Sequence, residues 1–155
     1  MNNEEIDQII GKMCAEGENK AFQYSDQLSR IGGEYVVDRM IDLLQSENND
    51  VKYLAAKTLS GTKGNGKALK PLFEIIHAKE NEYTNGGLVE ALSGFDLSEE
   101  FVNIFRLFLS PNFKVETMAS VMLDFTEFNI TPRTIRKAQK HYFLVVNKVI
   151  NTLVT

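Results

Sequence analysis

Apolar residues return every three or four positions along nearly the whole chain, the period of an amphipathic helix and not of a strand. Ile6, Ile9, Ile10, Met13 and Cys14 lie at i, i+3, i+4, i+7 and i+8 and predict a first helix. Phe22, Leu28 and Ile31 predict a second, stopped at Gly32–Gly33. Val36, Val37, Met40, Ile41, Leu43 and Leu44 predict a third. Val51, Leu54, Ala55 and Leu59 predict a fourth, opened by Asn49 or Asp50 as N-cap and closed near Gly61. Pro71, Leu72, Ile75 and Ile76 mark the next, and Leu88, Val89, Ala91 and Leu92 mark one that ends at Gly94. Ser98 is placed as the cap of a helix carrying Phe101, Ile104, Phe105, Phe108 and Leu109, with Glu99 and Glu100 in a first turn where the helix dipole favours acids. Met118, Val121, Met122 and Leu123 follow, and Thr131–Pro132 opens a long final helix. No stretch alternates convincingly with period two, so the expected class is all-α.

The helices also repeat. Leu28–Ser29, Leu59–Ser60, Leu92–Ser93 and Leu123–Asp124 are separated by 31, 33 and 31 residues, and each pair closes an apolar helix. Leu44, Ile76 and Leu109 keep the same register in the second helix of each unit. Counting back 31 residues from Val37, Met40, Ile41 and Leu44 lands on Ile6, Ile9, Ile10 and Met13. The first helix thus reads as the lone second helix of an incomplete unit, an N-terminal capping helix ahead of four helix pairs. One helix pair cannot bury its apolar face alone, whereas stacked pairs share a continuous core.

The unit DVKYLAAKTLSG at residues 50–61, followed by KALKPLFEII at 67–76, resembles the short HEAT-like repeat. Asp50, Val51, Ala55, Ala56, Leu59, Gly61, Pro71 and Leu72 carry the resemblance. The third unit keeps Ala91, Leu92 and Gly94 but begins with Glu82–Tyr83. The resemblance implies a right-handed α-solenoid of about four HEAT-like helix pairs, a single repeat domain over residues 1–155 of the armadillo type. It further implies a concave face lined by second helices and used to bind other macromolecules, and no single activity.

Charge sharpens this picture. The net charge of −4 exerts no global pull toward nucleic acid or an anionic membrane. Residues 1–50 carry four Lys/Arg against eleven Asp/Glu, residues 51–109 seven against seven, and residues 110–155 six against three. The chain therefore runs from acidic to basic. Cys14 is the only cysteine, so no internal disulfide forms, and its place on an apolar stripe marks a buried structural thiol. With no leader-like opening and no membrane-length apolar run, the expected setting is cytoplasmic with no membrane partner.

Motif chemistry is sparse. Gly61, Gly66 and Lys67 match the spacing G-x-x-x-x-G-K, but a helical pattern precedes them where a strand is required, and Ala68 stands where the magnesium-binding hydroxyl belongs. The glycines read as an inter-helix turn. His77 and His141 have no ligand-spaced partners, so neither a metal nor a cofactor is expected, and no catalytic residue is assigned.

Two surfaces remain. Repeat register aligns Asp38, Lys70, Asn103 and Arg136 in one row, and Asp42, Glu74, Leu107 (with Arg106 beside it) and Lys140 in a second, with His77 nearby. These form the expected protein-binding surface, which suits a charged partner. Arg133, Arg136, Lys137 and Lys140 form a basic stripe, an alternative anion- or nucleic-acid-binding patch, although no aromatic residue interleaves with it. Ile135, Ala138, Tyr142, Val145, Val149 and Leu153 lie on another face of the same helix, and the apolar chain end suggests folding back, a further segment or self-association. The leading expectation is a non-catalytic scaffold that binds another protein. The alternatives are a nucleic-acid-binding or HEAT-like DNA-repair protein acting through the basic helix, and an enzyme subunit of the bilin-lyase type, whose repeats these resemble.

Overall fold

The computed structural model describes residues 1–154, which contain nine α-helices and no strand, so the fold is all-α. The helices are α1 (Asn3–Met13), α2 (Ala21–Ile31), α3 (Gly33–Leu43), α4 (Asn49–Ser60), α5 (Leu69–His77), α6 (Gly86–Ala91), α7 (Phe101–Phe108), α8 (Phe113–Phe125) and α9 (Pro132–Val154). They form two compact units, Met1–Phe95 and the residues from Asp96 onward.

In the first unit α2 packs on α4 and α4 on α6, while α1, α3 and α5 pack on α2, α4 and α6 respectively. The pairing thus repeats three times. Its core holds Met13, Leu28, Met40, Leu44, Leu59, Leu72, Ile76 and Leu92, all fully buried. Every residue that carries the repeat register here, Ile6, Ile9, Ile10 and Met13 in α1 and Val37, Met40 and Leu44 in and after α3, is buried apart from half-buried Ile41.

The Leu–Ser–Gly register has a steric cause. Gly61 ends α4 with an ordinary right-handed backbone, so left-handed freedom is not why glycine stands there. A Cβ at Gly61 would lie 2.9 Å from the Ser29 hydroxyl, and one at Gly94 would run into the Ser60 carbonyl. Ser29 and Ser60 are themselves register equivalents, so each unit's terminal glycine lies against the previous unit's serine. Ser29 donates to the Thr58 carbonyl at 2.8 Å, and Thr62 donates to the same carbonyl at 2.6 Å. The buried Ser25 and Thr58 hydroxyls meet at 2.8 Å, and Thr58 returns to the Leu54 carbonyl at 2.8 Å. The polar atoms forced inside by this close approach are thereby satisfied.

Several helix starts differ from the sequence reading. Asn48, not Asn49 or Asp50, caps α4, its side-chain oxygen accepting from the Asp50 and Val51 N–H groups. Ser98 does not cap α7: its N–H is held by the Asp96 carboxylate, and the helix opens two residues later with Glu100 at the cap, so Glu99 and Glu100 precede its first turn. The third unit's first helix is shortened to Gly86–Ala91, because Gly86–Gly87 initiate helix poorly and Lys79–Asn81 form a 3-10 turn instead. Thr131 does cap α9, exchanging hydrogen bonds with Thr134, and Pro132 occupies the first helical position.

The second unit packs α7 against both α8 and α9. Ile104 and Leu107 are buried on α7, Val115 and Ala119 on α8, and only Ala138 on α9. Phe101, Phe105 and Phe128 form an aromatic cluster, with Phe101 stacked on Phe105 at 5.9 Å and edge-on to Phe128 at 5.4 Å.

A Gly94→Ala substitution should cost about 3 kcal/mol or more, because a carbonyl must move, whereas Gly61→Ala meets a rotatable hydroxyl and should cost about 1 kcal/mol. Urea unfolding of both variants checks the order, and Ser29→Ala should partly rescue Gly61→Ala alone. A second outcome concerns Asp7, whose carboxylate accepts from Arg39 and Tyr35 at 2.9 and 2.8 Å and is held below its usual value of 3.8, chiefly by Arg39 and then by Tyr35. The stabilisation this supplies is present above that value and is lost as pH falls through the lower folded one. Stability measured down that acid limb should therefore fall more steeply for the native chain than for Asp7→Asn.

Candidate functional site

The first unit carries an open groove of about 460 Å³ over α2, α4 and α6. Asp26 comes from α2, Tyr53 and Lys57 from α4, and Glu90 from α6. Asp26, Lys57 and Glu90 lie 31 and 33 residues apart, so they hold the same position in successive units. Their side chains therefore alternate acid, base, acid across three neighbouring helices.

Local packing fixes the middle of this row. The Lys57 ammonium lies 3.7 Å from Asp26 and 5.6 Å from the centre of the Phe22 ring. Phe22, of the apolar pattern but 55% exposed, is edge-on to Tyr53 at 6.2 Å. Gly87 lets Tyr53 lie flat against α6, since a Cβ there would stand 2.6 Å from the ring. Arg30 and Glu90 are exposed at the two sides of the groove and make no ion pair among the described residues. Arg30 holds the position that Gly61 and Gly94 occupy in later repeats, so α2 alone raises a cationic wall there.

The residues of the expected protein-binding surface lie elsewhere. Asp38 and Asp42 are exposed on α3, and Lys70 and Glu74 on α5. Asp38 bonds to Lys67 at 2.6 Å, and Glu34 approaches the same ammonium at 3.3 Å. These two acids, Asp38 first, raise the Lys67 pKa. Lys67 thus braces a helix junction, and Gly61 to Lys67 follow a helix and lead into a 3-10 turn. Half-buried His77 stacks on Phe73 at 5.7 Å.

In the second unit Asn103 donates to Glu100 at 2.8 Å. Leu107, aligned with a polar row, is buried on α7, because that position faces the core once α8 and α9 pack around it. Arg106, beside it, is half-buried. Arg133, Arg136, Lys137 and Lys140 are all exposed on α9. His141 lies half-buried beside them, and its pKa is depressed by burial first and then by Arg106 and Lys140. Burial likewise lowers Arg106 and raises the half-buried Cys14 thiol, which keeps the latter protonated and inert. Among the described residues no group of three His, Cys, Asp or Glu could hold a metal, and no helix is long and apolar enough to cross a membrane.

No family model, curated protein or solved structure matches this chain.

The sequence reading follows the helices that carry Asp38, Lys70, Asn103 and Arg136, and so does not pick out the groove over α2, α4 and α6. The 31- and 33-residue spacing that aligns Leu28–Ser29 with its copies also aligns Asp26, Lys57 and Glu90, and is the signal in the sequence for this row.

A proton NMR titration should place the His141 midpoint below the usual 6.5. Lys140→Gln, a change at an exposed position, should move it upward by a fraction of a unit.

Proposed function

We propose that the chain is a non-catalytic HEAT-like repeat module that binds another protein, and that the groove over α2, α4 and α6 receives an extended segment of it. The alternation of Asp26, Lys57 and Glu90 on equivalent positions of adjacent helices carries this reading. Packed helices lie about 8–10 Å apart, which is roughly three residues of an extended or polyproline-type chain. The outer helices α2 and α6 are thus about six residues of such a chain apart. Asp26 and Lys57 neutralise one another, so Arg30 and Glu90 supply the free charges, and the partner carries an acid for the first and a base for the second. Such rim charges steer encounter and select orientation more than they add affinity.

A second reading rests on α9, whose 23 residues hold five Lys/Arg and no acid. The exposed stripe Arg133, Arg136, Lys137 and Lys140 suits a phosphate backbone, with binding that weakens steeply with salt.

The two are separated by capturing partners from native extract, identifying them by mass spectrometry and measuring affinity for the isolated segment. Arg30→Glu and Glu90→Lys should each weaken a groove-bound segment by roughly tenfold, a rim-charge effect of about 1.4 kcal/mol. Asp38→Lys with Asp42→Lys, and Arg133→Glu with Arg136→Glu, should leave it unchanged. Loss through the α3 pair instead would move the contact to the second helices. Salt-sensitive binding to a generic duplex, lost in the α9 pair, would establish the second reading.

A further inference from the structure

The largest apolar exposure lies on the C-terminal half of α9. Tyr142, Val149 and Leu153 are 48%, 53% and 79% exposed, and Val146 is half-buried. These four residues are spaced 4, 3 and 4, the spacing of a two-helix seam. On a helical projection the seam lies about 50° from Ala138, the one buried residue of the helix, and it stays exposed because it begins a turn further along α9 than Ala138. Phe143 and Ile150 flank it and are also exposed.

We infer that this seam is a self-association surface on which a second copy of the chain lays its own α9 antiparallel. The spacing accommodates a second copy. Read in either direction it is 4, 3, 4, so an antiparallel partner matches Tyr142 with Leu153 and Val146 with Val149 about a two-fold axis between residues 147 and 148. That is the self-complementarity an isologous dimer requires.

Charge placement agrees. Arg133, Arg136, Lys137 and Lys140 lie N-terminal to the paired segment, so neither copy's stripe opposes the other's. In this register only Lys140 comes near the last turn of the other copy's α9, and Arg133, Arg136 and Lys137 lie beyond it. Lys148, the only charge within the paired segment, projects from the far side of α9. Covering the exposed parts of these side chains on both copies removes on the order of 1,000 Å², the lower end of specific interfaces and a size that suits micromolar association.

Sedimentation equilibrium of the whole chain from about 1 to 200 µM brackets this affinity range. A monomer–dimer equilibrium is expected, with the dissociation constant raised at least roughly tenfold by Val149→Glu. Leu153→Lys, at a position more exposed still, should do the same, and unchanged helical circular dichroism shows that the variants fold. In a Cys14→Ser background, Tyr142→Cys and Leu153→Cys should crosslink when mixed and not when alone. A monomer throughout overturns the inference, as does a dimer that both charged variants leave intact. Crosslinking of either cysteine variant alone would overturn the antiparallel register. A monomer that floats with phosphatidylserine vesicles, and loses this through Val149→Glu, would assign the face to lipid instead.

Discussion

The first unit depends on one steric constraint: α2, α4 and α6 must approach closely at their C-terminal ends. Gly61 lies against Ser29 and Gly94 against Ser60, so that a Cβ would force aside a hydroxyl at the first and a backbone carbonyl at the second. Close approach brings hydroxyls into the interior, where an unpaired polar group would cost about 1–3 kcal/mol. Ser25, Ser29, Thr58 and Thr62 answer that cost among themselves and with the Thr58 and Leu54 carbonyls. The same contact sets the distance between the outer faces of these helices, and so the reach across Asp26, Lys57 and Glu90.

A consequence is that charge on this face is arranged by repetition. Each helix contributes the same few positions, and the chain varies what stands there. At one position it places Asp26, Lys57 and Glu90; at another, Arg30, Gly61 and Gly94. The glycines are imposed by packing against a preceding unit. Arg30 belongs to the first full unit, where no earlier serine presses on it, and a long cation fits. Packing and surface chemistry are thus two readings of one register.

The second unit is organised differently. α7 supplies the centre, covered by α8 and by the Ala138 side of α9. This buries Leu107, which register alone had placed among polar residues, and leaves the rest of α9 basic at one end and apolar at the other. Register arguments fail here because they assume that every second helix shows solvent the same face. Leu107 faces two neighbours, so its environment follows from packing and not from its place in the repeat.

Helix content, the approximate helix positions and the 31- and 33-residue spacing follow from local periodicity, and the sequence alone was sufficient for them. It was sufficient too for the helix ahead of Gly61 to Lys67, visible in Val51, Leu54, Ala55 and Leu59. Helix caps were less legible: Asn48 and Asn49 are chemically the same, and which one bonds Asp50 and Val51 depends on the path by which the chain enters α4. Tertiary structure alone decided that Gly61 and Gly94 serve close contact and not a left-handed turn, and that the free charges of the groove are Arg30 and Glu90. It alone showed which apolar residues of α9 stay uncovered. These depend on distances between residues far apart in the chain, and hydrophobic periodicity records which way a side chain faces without recording what meets it there.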